Sequence, residues 1–327
     1  MDRLRAIAMT ALCALASACS DDAGALDADD ASVDADVDFD VARDSARDAR
    51  DARFDAVDAS ADEDVPDDRA PLYAEALCND NATLDDLGVA WVPSPVGLRA
   101  AALGVAARRY PMALALFEPV EDALLAGWFA PAATFADVTR AFDVGVREAG
   151  RAWDAARSKN VRVYRLRDDL VITARPMESF ARSEIIALHA APGRDPYVDM
   201  YLTGAAGDLG LDAVLSDVVH FTHALAARYC TRDALAPGTR VPSRDDLLTV
   251  MYYLELYVMR ARTAHPSVYG AMLADDSYRR LLRLAWLRAG FWLDVTSRSP
   301  ELGVRDGEVA VWAYAPANLL EMARLPQ

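Results

Sequence analysis

Residues 21–70 cannot build a hydrophobic core, and that fixes how much of the chain is left to fold. From Asp21 to Ala70 there are 19 acidic residues against five arginines, few aromatics and almost no long aliphatic side chains. Such a segment buries too little apolar surface to offset the entropy of ordering it. Of the chain's net charge of −17, −14 falls in this stretch, +1 in the first 20 residues and −4 in residues 71–327. The acidity is therefore local, and residues 19–70 read as a disordered Ala/Asp/Arg-rich tether. At about 3.3–3.6 Å per residue, 50 residues reach roughly 170 Å, and like charges bias the segment toward extension. Asp34, Asp36, Asp38 and Asp40 alternate like the start of a calcium loop. However, Phe39 occupies the required glycine position and Ser45 the closing glutamate. No cofactor is indicated, and clustered cations suited to nucleic acid are absent from the sequence.

The preceding residues supply an address. Arg3 and Arg5 open the chain, residues 6–16 are apolar or small, and Ala16-Ser17-Ala18 offers a small-residue cleavage region. The run is shorter than the ~20 residues of a membrane-spanning helix. It ends at Cys19. Leu15-Ala16-Ser17-Ala18-Cys19 resembles the lipobox of bacterial lipoproteins, although Ala16 stands where that pattern prefers leucine. The resemblance covers only the amino-terminal residues. It implies a signal peptide over 1–18, removal of that peptide, and acylation (palmitate among the acyl chains) of Cys19. The partner of the modified cysteine would be the lipid bilayer. Ser20 directly after it resembles the sorting signal for the outer membrane, so a cell-envelope location is expected.

Residues 71–327 have the composition of a packed domain, and their length suffices for one sizeable core. The expected fold is mostly α, a single helical domain with a small antiparallel hairpin or sheet inserted. Ser94-Pro95 begins a helix to about Tyr110, and Pro119 opens another ending near Phe129. Thr134 caps a long helix in which Phe135, Val138, Phe142, Val146, Ala149, Trp153 and Ala156 recur at helical spacing. NVRVYRLRDDLVITARP predicts a β-hairpin about Asp168-Asp169, and SEIIALHA and YVDMYLT predict two further strands. Later helices are expected over 211–229, from a capping box at Ser243 to about Ala264, from Pro266, over 277–297, and around Trp312 and Tyr314. Helix 244–264 is apolar on most sides and should lie centrally. The glycines of TGAAGDLG lack the lysine of a phosphate loop and mark a connection.

Cys78 and Cys230 are an even pair in an exported domain, which favours a disulfide. Asp217, His220 and His223 are spaced by three, a spacing that sets candidate metal ligands along one side of a helix. They are expected to share its polar face, opposite Leu211, Val214, Leu215, Val218, Leu225 and Tyr229. Glu255 lies inside MYYLELYVM on an almost wholly apolar helix. A carboxylate there must be paired, with Arg262 on the same flank or an arginine from a neighbouring helix, or hold a raised pKa suited to acid–base chemistry. Two functional readings follow. The first is a non-catalytic envelope protein that binds a protein or ligand, or is structural. The second is an envelope hydrolase using Glu255, with a metal at Asp217, His220 and His223.

Overall fold

The chain is described by a computed structural model over residues 73–79, 82–130 and 132–325. The expected signal peptide, Cys19 and the expected acidic tether lie outside the described residues. From Tyr73 to Asn79 an irregular arm leads into the thirteen α-helices and one hairpin found among the described residues. Helices α1 (Asp85–Val89), α2 (Pro95–Arg109), α3 (Met112–Phe117), α4 (Asp122–Trp128), α5 (Phe135–Arg140) and α6 (Phe142–Arg157) come first. Strands β1 (Arg162–Arg167) and β2 (Leu170–Ala174) follow, then short turns and α7 (Gly204–Gly207). The remainder is α8 (Leu211–Cys230), α9 (Ser243–Ala264), α10 (Pro266–Ala274), α11 (Asp276–Val295), α12 (Asp306–Ala313) and α13 (Pro316–Ala323). The domain is thus mostly helical with a single two-stranded antiparallel sheet among the described residues.

Local chemistry sets several boundaries. Ser94 Oγ accepts from the Gly97 amide at 3.0 Å, with Pro95 at the first helical position of α2. Thr134 and Asp137 form a reciprocal capping box on α5. Asp275 Oδ1 takes the Ser277 and Tyr278 amides at the start of α11. The hairpin pairs Tyr164 with Ile172 and Val163 with Thr173, with an irregularity between Arg165 and Arg167. Leu166, Ile172 and Ala174 turn inward, while Val171 is exposed.

Helices α8 and α9 form the centre. Helix α8 packs against α6, α9, α11 and β1, and α9 against α8, α12, α13 and α10. Leu247, Leu248, Met251, Leu254, Tyr257 and Val258 of α9 are all fully buried, so that helix is enclosed as its sequence implies. On α11, Tyr278, Leu282, Ala285, Trp286, Ala289, Trp292 and Leu293 face the core. Among the described residues no helix is long and apolar enough to cross a membrane.

Four sequence expectations need correction. The helix expected from Thr134 through Ala156 bends at Ala141 (φ −93°, ψ 5°) into α5 and α6. The bend lets α5 pack on α1 and α2 while α6 lies along α8. Phe129 then presses on the α6 backbone at Gly145, where an added Cβ would stand 2.3 Å from the ring. The expected strands SEIIALHA and YVDMYLT are instead a 3-10 segment, Arg182–Leu188, and a wide π turn, Val198–Leu202. Short apolar runs look alike in either state; here the first packs against α9, the second against α7, and the two against each other. The capping box at Ser243 does not form: Pro242 is the N-cap, and the Asp246 carboxylate that would reach back accepts the Tyr197 hydroxyl instead. Finally, Pro119 precedes its helix, which starts at Asp122, and α3 occupies the residues before it.

Cys78 on the arm and Cys230 at the end of α8 are joined by a disulfide, with Cα atoms 5.3 Å apart. The bond closes a loop of 152 residues, for which chain-entropy arguments give an upper value of ~5 kcal/mol. We expect Cys78→Ser/Cys230→Ser to lower unfolding free energy by about 2–5 kcal/mol in urea titrations. An unchanged midpoint would show that the arm is held without the bond.

Candidate functional site

Helix α8 carries the candidate metal ligands, and its surroundings decide their use. From residue 217 to 228 every residue of the helix is buried, polar ones included: Asp217 is 8% exposed, His220 1% and His223 0%. The expected solvent-facing polar side does not exist. Each residue meets a different neighbour. Asp217 receives Arg151 Nη2 from α6 at 2.8 Å and Arg182 Nη1 at 2.7 Å. His220 Nε2 lies 2.9 Å from Asp154 Oδ2, and its Nδ1 lies 3.0 Å from Ser216 Oγ. The ring fits against α6 because residue 150 is glycine; a Cβ there would approach His220 Cδ2 to 2.7 Å. Asp217, His220 and His223 therefore do not converge, and no three His, Cys, Asp or Glu side chains among the described residues could hold a metal ion.

The Ser216–His220–Asp154 chain resembles the relay of a serine nucleophile. Asp154 Oδ1 also accepts the Arg165 amide at 3.1 Å, so the carboxylate is held by donors on both oxygens. His220 Nε2 then donates to Asp154, and its Nδ1 faces the Ser216 hydroxyl. An acyl-transfer site also needs free donors for a developing oxyanion. Ser216 stands in the second turn of α8, where backbone amides are committed to the helix. The trio ties α6 and β1 to α8.

His223 opens onto a larger buried network. Its Nε2 donates to the Arg165 carbonyl at 2.8 Å, and its Nδ1 faces Tyr110 Oη at 3.3 Å. Arg288 of α11 donates through Nη2 to Tyr110 Oη at 3.1 Å. The same guanidinium grips Glu75 of the arm, Nε to Oε2 at 2.7 Å and Nη2 to Oε1 at 2.9 Å. Glu75 also accepts from Tyr73 Oη at 2.7 Å and Trp292 Nε1 at 3.1 Å. Both side chains are nearly sealed, Arg288 at 1% and Glu75 at 6% exposure. Burial pushes the Glu75 carboxyl up, but Arg288 and the four hydrogen bonds outweigh it, so its pKa lies below the ordinary 4.5. Burial, reinforced by the Arg288 guanidinium, pushes His223 well below the ordinary 6.5. It is neutral throughout the physiological range.

Glu255 is fully buried. Its Oε1 accepts from the Trp286 indole at 3.1 Å. The expected partner Arg262 instead forms a two-pronged pair with Glu321 of α13, at 2.8 and 2.6 Å. The correction is geometric: Arg262 sits near the end of α9 beside α13, while Glu255 faces α11.

Sequence reasoning passed over Glu75, Arg288, Ser216 and Asp154. One signal for Arg288 is present. It falls on the same stripe of α11 as Leu281, Ala285 and Trp292, and an arginine on a buried stripe demands a buried acceptor. Nothing local marks Glu75, which comes from 213 residues earlier. Comparison of the chain with protein-family models, curated proteins and solved structures yields no match.

Two outcomes follow from this network. Arg288→Met, which strands Glu75, should cost about 3–5 kcal/mol in urea unfolding, and adding Glu75→Gln should recover part of that loss. Equal stability of the single and double variants would show the pair to be uncoupled. For His223, the unfolded chain binds a proton near pH 6.5 while the folded chain does not. Stability should accordingly fall as pH drops through 6.5, with Glu75 adding to the loss below 4.5. His223→Gln should flatten the slope between these two values; an unaltered slope would assign it elsewhere.

Proposed function

We propose that this chain is a lipid-anchored cell-envelope protein whose helical domain serves a non-catalytic binding or structural role at a distance from the bilayer. The observation that carries the reading is Leu15-Ala16-Ser17-Ala18-Cys19 at the end of a short apolar run. Each buried methylene of an acyl chain contributes ~0.8 kcal/mol to membrane attachment, so several chains on Cys19 hold the protein firmly. Ser20 favours the outer membrane. Residues 19–70 then act as the spacer, a role that suits their charge and low hydrophobicity. The partner of the domain is an envelope protein or a ligand.

The internal engagement of the candidate chemical groups supports the non-catalytic reading over the hydrolase. Asp217, His220, His223 and Glu255 are all less than a tenth exposed, and each bridges α8 or α9 to another element. A general acid or base must reach substrate within hydrogen-bond distance; these side chains spend that reach on their neighbours. Labelled palmitate should enter the wild-type protein and not Cys19→Ala, and the variant should leave the membrane fraction. Equal labelling of both, or a wild-type protein recovered wholly in soluble fractions, would remove the reading.

A further inference from the structure

The outer face of the hairpin gathers positive charge that the domain leaves unanswered. Residues 157–175 hold six cations and two carboxylates, a net of +4, although residues 71–327 as a whole carry −4. Arg162 and Arg167 have acidic partners, Asp212 and Asp169. Arg157, Lys159, Arg165 and Arg175 pair with no acidic side chain among the described residues. The fold brings these four together. The guanidinium groups of Arg157, at the end of α6, and Arg165, on β1, both lie on the Trp153 ring, 3.8 and 5.1 Å from its centroid. Opposite residues of an antiparallel pair share a face, so Arg165 with Val171, and Val163 with Thr173, stand on the side away from Leu166 and Ile172. Arg175 continues that alternation, at the end of the hairpin where Lys159 enters. Arg157, Lys159 and Arg175 are exposed. Like charges gathered in this way repel one another unless an anion answers them.

The chain enters the domain beside this face. Arg167 Nη1 donates to the Ala74 carbonyl at 2.9 Å, and its guanidinium lies 5.5 Å from the centre of the Tyr73 ring. Asp62, Glu63, Asp64, Asp67 and Asp68 precede Tyr73 by five to eleven residues, and no cation falls among residues 54–68. At about 3.3–3.6 Å per residue, these carboxylates reach roughly 17–40 Å from Tyr73. Strand β1 has six residues and so spans about 20 Å. The cations of the outer face are within that range.

We propose that residues 62–68 of this chain dock on the outer face of the hairpin, with their carboxylates against Arg157, Lys159, Arg165 and Arg175. Arginine and lysine offer only donors and carboxylates only acceptors, so the two sets are complementary. Each exposed ion pair is weak by itself. A segment joined to its site by a few residues, however, meets that site at millimolar effective concentration. This connection favours the segment over an anionic bilayer, which lies at the far end of the chain from Tyr73. The inference goes beyond the anchored-spacer reading and stands without it. Docking shortens the spacer to residues 19–61 and covers the cationic face until a stronger polyanion displaces the segment.

Lys159 is the only lysine of the chain, which gives the test a single reporter. A carbodiimide joins its amine to a carboxylate in direct contact, forming an amide with loss of water. After treatment of full-length protein at micromolar concentration, trypsin should release residues 54–69 linked to residues 158–162 from the monomer. Links from Lys159 to residues 21–53 should be several-fold rarer. Raising NaCl from roughly 0.05 to 0.5 M should lower the yield at least about threefold, because exposed pairs are screened. Arg157→Gln/Arg165→Gln/Arg175→Gln keeps Lys159 and should lower the yield as far, with the thermal midpoint reporting on folding; the salt series needs no variant. Links from Lys159 only into residues 71–327, links evenly spread over 21–70, links found only between two chains, or a yield indifferent to salt overturns the proposal.

Discussion

The grip of Arg288 on Glu75 is the interaction on which the rest of this domain is arranged. A guanidinium cannot give up its proton, so a sealed arginine must be matched by an anion with good geometry. Here two parallel hydrogen bonds, at 2.7 and 2.9 Å, provide it. Because Tyr110, His223 and Trp292 share the same cluster, the arm, α2, α8 and α11 are fixed with respect to one charge. The Arg165 carbonyl adds β1. Removing either partner would leave the other charge buried alone, which makes the arm part of the domain's folding unit rather than a trailing end. The disulfide from Cys78 to Cys230 secures the same arm to α8 by a second, covalent route.

The polar residues of α8 follow the same logic. Once a helix is surrounded, every polar side chain on it needs a partner within the protein. Asp217 finds two arginines, His220 an aspartate and a serine, and His223 a carbonyl and a tyrosine. In each case one side chain is tied to a different neighbouring element. Such ties orient packed helices that apolar contact alone would hold less specifically. A spacing that looks like a metal motif in one dimension is here three separate cross-links.

Much of the architecture was legible in the chain. Ser94-Pro95, the pair Thr134 and Asp137, Pro266 and Asp275 mark helix starts through local chemistry that needs no distant partner. The hairpin was legible because alternation about Asp168-Asp169 is a property of adjacent residues. The enclosure of α9 could be read from its all-round apolarity. The segments at 182–188 and 198–202 were not legible as turns, because their apolar residues fit either a strand or a helical turn. Packing of the first against α9 and of the second against α7 made the choice. Likewise the bend at Ala141 interrupts a periodicity that continues across it, and only the different neighbours of α5 and α6 reveal it.

The sequence by itself determined where a fold is possible: composition denies residues 21–70 a core, and periodicity assigns most of 71–327 to helices. It also determined which residues must be exceptional, since a glutamate in MYYLELYVM or histidines on α8 require partners if buried. Only the tertiary structure decided who those partners are. Glu255 meets Trp286 and not Arg262, His220 meets Asp154 from 66 residues away, and Arg288 meets Glu75 from 213 residues away. The physical reason is that helical periodicity is set by bonds spanning four residues. Pairing of buried charges is set by which helix faces happen to meet, and that is a property of the packed domain as a whole.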